Sequence, residues 1–426
     1  MSQIAIERRQ AGRPAAGAAR KGRSIERRAP TAGARAPGTA RSASRSRAAA
    51  LSLEHRLLVG CVASLCLLGL PLVLSASFVD AIEAGGSPYS LFERQALFLG
   101  IGLAVAVAAS RVSMEQLRRL RLVLLGGGLL LLLAVFVPGI GHGAGGSSRW
   151  IGAGPVQIQP SELMKLAVVV FAADLLARRA RRPDPWRAVV VPLLILVAVA
   201  GILIMKQPDL GTCMVIVCTT FAMLFAAGVP ARLVATGFCL LAVPGTALAL
   251  DAAYRRARLL SFLDPFSHAS STGYQVVQSL VTLGQGGLHG SGIGASPATW
   301  GYLPNGYTDF IFGVVGGNLG VFGTIPVIAL FAAFTWAGLR VAHREKDLFT
   351  RYVAVGVTCW IALQAVINIG GVIDALPVTG IPLPFISYGG SALIVSLAGA
   401  GLLAGIARRQ APAPAPIVRP AVSGTR

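Results

Sequence analysis

Apolar stretches long enough to cross a lipid bilayer recur along most of this sequence, and a chain built that way has few folds open to it. A bilayer core about 30 Å thick takes roughly 20 residues of helix per crossing. Ten crossings fit, at about Leu57 to Phe78, Leu91 to Ser110, Leu122 to Val137, Leu163 to Leu176, Ala188 to Met205, Leu210 to Ala227, Leu233 to Leu250, Phe310 to Leu339, Tyr352 to Ile369 and Ser391 to Ile406. The fourth is short and the eighth long. Of the 426 residues 54% are hydrophobic and only 13% charged, far from the balance of a soluble globular protein. The expected fold class is an all-α polytopic integral membrane protein with about ten transmembrane helices. Its largest extracytoplasmic loop, about residues 251–309, lies between helices 7 and 8.

A formal net charge of +21 would suit a nucleic-acid partner, but its distribution argues for a membrane instead. Of 38 Lys and Arg, with the N-terminus placed inside, 13 fall in the tail to Arg56, 14 in the four short inner loops, 4 in the C-terminal tail and 7 on the outer side. This is the positive-inside pattern, and it puts both termini in the cytoplasm. Residues 1–50 hold twelve Lys and Arg against two Glu and show no apolar periodicity. They read as a disordered basic tail that either lies against anionic lipid or a cytoplasmic partner, or serves topology alone. Residues 51–409 form the transmembrane domain, and 410–426 a Pro/Ala-rich tail. No cleavable signal peptide precedes the first crossing, which therefore acts as its own insertion signal. The six cysteines fall in predicted crossings without metal or disulfide spacing, and read as small packing residues.

Three stretches outside the crossings are long enough to build a site: about 140–162, 251–309 and 370–390, all outer by the helix count. In "SSRWIGAGPVQIQPSELMK", Arg149 presents a fork suited to phosphate or pyrophosphate, beside the interfacial aromatic Trp150. Glu162 and Lys165, three apart, can pair on one helix face, as a site or as a structural ion pair. Asp209 in "KQPDLGT" reads as a helix cap. Arg255, Arg256 and Arg258 run against the charge bias and suggest an anionic ligand rather than anionic lipid. His142, His268 and His289 are too scattered for a metal site, and "GQGGLHGSGIG" lacks the strand and helix of a nucleotide loop. "LPVTGIPLPFISYGGS" fits a re-entrant or broken-helix element, tolerated where protein or a cavity covers its backbone. Asp309, at the edge of the eighth crossing, reads by position alone as a helix N-cap or as a functional carboxylate.

Taken in order, "RWI", "QPSELMKLA", "QPDLGT", "YRRARLLSFLDP", "GYQVVQSL", "LPNGYTDFIF", "QAVINIG" and "LPVTGIPLPFISYGGS" resemble the FtsW/RodA (SEDS) family of peptidoglycan polymerases. The resemblance covers about residues 57–409. The basic N-terminal extension and "TTFAMLFAAG" are more similar to the division branch, FtsW, and the "VTGIPLPFISYGGS" ending is equally at home in the elongation branch, RodA. The resemblance implies a glycosyltransferase that polymerises lipid II on the outer face of the bacterial inner membrane, at the septum if FtsW-like. It also implies a class B penicillin-binding protein as partner, and membrane lipid as surroundings.

By the same resemblance Asp309, in the T-D-F motif, is the residue implicated in glycosyl transfer. A carboxylate partly withdrawn from water at the lipid boundary can accept the proton of a sugar hydroxyl. Arg149, Trp150, Glu162, Lys165, Arg255, Arg256, Arg258, Gln278 and Ser387 are the substrate-binding candidates, the arginines facing the pyrophosphate. A divalent cation is a candidate to share their role, although the sequence shows no cage for one. The chain departs from the family where many relatives carry acidic residues: Asn305 follows "LP", and "GGNLG" with Gly317 and Asn318 stands for "GEELG". Two rival readings follow from the same residues. Intramembrane polar groups and Gly/Pro-interrupted segments suit a flippase or other carrier of lipid-linked precursors. The missing acidic residues suit a scaffold without polymerase activity.

Overall fold

The computed structural model describes residues 37–410 apart from 145–146, 153–156, 180–185, 252–255 and 258–260. The helices that build the site belong to one compact unit. The expected disordered tail lies outside the described residues as far as residue 36, the first helix starting at Pro37. Arg255, Arg258 and the C-terminal tail beyond Gln410 lie outside them too.

Every predicted crossing holds a helix. In chain order these are α1 (Pro37–Glu83), α2 (Ser90–Arg111), the short α3 (Met114–Arg119), α4 (Arg121–Ala134), α5 (Pro160–Arg179), α6 (Arg187–Lys206), α7 (Leu210–Ala226) and α8 (Ala231–Asp251). After the long loop, which carries α9 (Tyr274–Gly286), come α10 (Ile311–Leu319), α11 (Val321–Arg344), α12 (Leu348–Val372) and α13 (Gly390–Arg409). Among the described residues six helices are long and apolar enough to cross a membrane, and α4, α7 and α8 supply shorter apolar ones. Polar side chains start several of them: Ser113 and Gln116 form a capping box on α3, and the carboxylates of Asp209 and Asp347 accept from Thr212 N and Thr350 N to cap α7 and α12. A short antiparallel hairpin, β1 (Gly141–Ala144) and β2 (Ser147–Ile151), adds strand to the all-helical expectation.

Burial ranks the helices. In α12 72% of the most apolar window is buried, against 17% in α2, so α12 stands inside the bundle and α2 on its rim. Helix α5 is buried nearly throughout despite Glu162, Lys165 and Asp174. Each charge has partners, as burial demands. Asp174, at the far end of α5 from Glu162, receives Arg118, Arg121 and Arg178 at 2.6, 2.8 and 2.8 Å.

The eighth crossing is not one helix. It breaks at Gly320, φ 63°, between α10 and α11. The break is held by the glycine run that follows α9. Ser291 N donates to Gly317 O at 2.9 Å and Gly292 N to Asn318 O at 3.0 Å, while Val321 N and Phe322 N donate to Gly287 O and Leu288 O. A Cβ on residue 320 would stand 2.5 Å from Gly290 N, so glycine is required for that approach as well as for the positive φ. The "GQGGLHGSGIG" run is thus a strap whose main chain satisfies the groups that the break frees.

Candidate active site

Asp309 closes a turn built on Asn305. The Asn305 carbonyl accepts from Thr308 N, Thr308 Oγ1 and Phe310 N, and Asn305 itself holds a left-handed φ of 57°. Phe310, fully buried, is the N-cap residue of α10, one position past Asp309. Two further ties fix the turn. Tyr388 N donates to Tyr307 O at 2.8 Å, with the two rings edge to face at 5.8 Å, and Asn368 Nδ2 donates to Asp309 O at 2.7 Å. Burial above all, then the nearby Asp80 and Tyr388, push the Tyr307 hydroxyl up, so it keeps its proton.

Opposite this turn runs the irregular segment 373–389, between α12 and α13. Most of it is buried or half-buried, and side chains answer its main chain as an element without regular hydrogen bonds needs. Gln364 donates to Pro382 O, Asn368 to Ile381 O and Gln95 to Ser387 O, and the Ser387 hydroxyl accepts from Leu383 N at 2.7 Å.

Between turn and segment lies a cavity of about 290 Å³. Asp309, half-buried, opens on it with Arg94, Arg149, Trp150, Glu162 and Asp209. Asp209 is engaged with Gln159, Ser161 and Thr212. Glu162 meets Lys165 at 2.7 Å, both almost wholly buried. Arg149 spends two of its N–H groups on the carbonyls of Gln207, at 2.8 Å, and Pro208. A guanidinium carries five, so donors remain for an anion in the cavity.

The candidates thus divide. Asp309, Arg149, Trp150 and Glu162 share the cavity. Lys165 sits behind it, pairing Glu162, bonding Gln364 at 2.7 Å and standing 5.2 Å from the Trp360 ring centre. Ser387 is turned into its own loop, Gln278 is half-buried on α9, and neither lines the cavity. Arg256 is exposed and does not line it either. An arginine such as Arg94, just past the first turn of an apolar helix, reads from sequence as an ordinary boundary residue. Among the described residues no cluster of three or more His, Cys, Asp or Glu could hold a metal ion, and the Glu162 and Asp209 carboxylates already have partners.

Residues 55–411 match the profile of the FtsW/RodA/SpoVE group, described as cell cycle protein. The chain belongs to this family. The probable peptidoglycan glycosyltransferase FtsW of Geobacter metallireducens is 37% identical over 342 residues, 80% of this chain and 91% of its own. Stage V sporulation protein E of Bacillus subtilis is 40% identical over 343 residues, 80% and 93% of the two chains. Among solved structures, one chain from work on the structural coordination of polymerization and crosslinking by a peptidoglycan synthase complex aligns with a TM-score of 0.67 at 30% identity, covering 83% and 97%. The rod shape determining protein RodA of Thermus thermophilus aligns at 0.61 and 29%, covering 84% and 97%. This FtsW/RodA/SpoVE member is a multi-span membrane protein whose departures from the acidic pattern have local causes. Asn305 occupies a left-handed position that asparagine tolerates better than glutamate. At Gly317 a Cβ would meet Ser296 and stand 2.6 Å from Thr282 Cγ2, leaving no room for an acidic side chain. Asn318, buried, donates to Ser75 Oγ at 3.0 Å and so ties α10 to α1.

Proposed function

We propose that this chain is a peptidoglycan glycosyltransferase that polymerises lipid II, with Asp309 as the general base. One observation carries the reading: the Asp309 carboxylate and the cations Arg94 and Arg149 open on a single cavity at one end of the helix bundle. The positive-inside count supports that end as the outer one, with both termini in the cytoplasm.

In the transfer, the 4-hydroxyl of the acceptor GlcNAc attacks C1 of the donor MurNAc. Its proton passes to Asp309, the C1–O bond to pyrophosphate breaks, and undecaprenyl pyrophosphate departs with the electron pair. Base and acceptor must come within hydrogen-bond reach. Arg94 and Arg149 face the charge that grows on the leaving pyrophosphate, where fixed donors act most strongly. Curated relatives named FtsW at 36–38% identity favour a division role at the septum. The neighbour from a synthase complex supports a class B penicillin-binding protein as the crosslinking partner. The test is polymerisation of labelled lipid II by purified protein, with and without its cognate penicillin-binding protein. Polymer is expected from the native chain and none from Asp309→Asn; polymer from both would remove Asp309 from the mechanism.

A further inference from the structure

We propose that Asn368 is the positioning residue that aims Asp309, acting as one rung of a ladder of side-chain amides on α12. Trp360, Gln364 and Asn368 recur every fourth residue and so lie along one face of the helix. Asn368, 5% exposed, spends its amide nitrogen twice, on Asp309 O at 2.7 Å and on Ile381 O at 2.8 Å. One turn earlier Gln364, wholly buried, donates to Pro382 O at 2.9 Å and accepts from Lys165 Nζ at 2.7 Å and Trp360 Nε1 at 3.0 Å. Lys165 in turn holds Glu162, a wall residue of the cavity.

A carboxamide has two N–H donors, and Asn368 gives both to main-chain carbonyls of segments that lack regular structure. The amide cannot be turned over, because its oxygen would then face two carbonyl oxygens. Fixing the main chain of Asp309 fixes the direction of its Cα–Cβ bond, so the carboxylate takes its aim from a residue that does not line the cavity. Burial makes the rung matter, since an unmet carbonyl in such a place is costly and the segment would shift to avoid it. A base displaced by about 1 Å loses on the order of 100-fold in rate. The two rungs divide the work: Asn368 sets the base, and Gln364 sets the wall and the Glu162–Lys165 pair.

This inference rests on the glycosyltransferase reading, and the experiment separates the two. Full-length native protein, Asn368→Leu, Asn368→Thr and Gln364→Met are purified with the cognate penicillin-binding protein, and lipid II turnover is measured per correctly folded molecule. Leucine removes both donors at similar volume, and threonine leaves one hydroxyl donor. The expected kcat falls by about 100-fold for leucine and about 10-fold for threonine, with KM within about 2-fold of native. Gln364→Met is expected to raise KM more than it lowers kcat. A purely structural role would lower the folded fraction and leave kcat per folded molecule alone, and that result overturns the inference. Should the leucine variant not survive purification, the threonine variant decides by the same split. A native protein that makes no polymer overturns the glycosyltransferase reading itself, whereas a native polymerase whose Asn368 variants keep their kcat overturns only the positioning role.

Discussion

At the scale of single residues, the cavity wall mixes groups with different duties, and substitutions should tell them apart. Asp309→Asn nearly keeps volume but removes the base, so polymerisation should vanish while the detergent-solubilised protein stays monodisperse. Glu162 and Lys165 are a buried pair, for which loss of one partner costs about 3–5 kcal/mol and joint apolar replacement far less. Lys165→Met alone should therefore lower the melting temperature markedly, and Glu162→Leu with Lys165→Met should recover most of the loss; equal losses in both would mean the pair is not coupled. Asp374, just past α12, has its carboxyl pushed up by burial. A raised folded-state value means the protonated form suits the fold. Its favourable contribution is complete below the ordinary aspartate range and is lost as pH rises through the folded value. Asp374→Asn should accordingly raise the melting temperature at neutral pH and lose that advantage in acid, which a thermal series across pH checks.

At the scale of elements, the sequence showed where helices run but not where one stops inside an apolar run. The stretch from Phe310 to Leu339 is continuous in hydropathy, and its break depends on a strap roughly thirty residues earlier that no local pattern connects to Gly320. The motif that singles out Asp309 is local in the sequence. What Asn368 and Arg94 face is not local: two carbonyls from distant segments for one, a cavity shared by several helices for the other. The same argument predicts that Gly320→Ala is costly although it adds one methyl. At φ 63° and ψ −153°, a region that essentially only glycine populates, an alanine costs about 1–3 kcal/mol before the approach to Gly290 N is counted. Thermal unfolding in detergent should show the loss, and an unchanged midpoint would mean that strap and break can separate.

At the scale of the whole molecule, the two ends of the bundle carry opposite chemistry: Asp174 gathers three arginines at one, and Asp309 meets the cavity at the other. A cysteine-accessibility scan should label positions 255–309 from outside the cell and positions 178–187 only from inside; external labelling of the latter would invert the topology. Three residues of the cavity wall, Gly380, Gly389 and Gly390, have no side chains, so what they present to a bound molecule is main chain. An inhibitor that drew its affinity from those atoms would meet a surface that point mutation does not easily rewrite. Resistance would then have to arise at a distance, in the residues of α12 and α2 that hold the wall in place, where changes also weaken the enzyme.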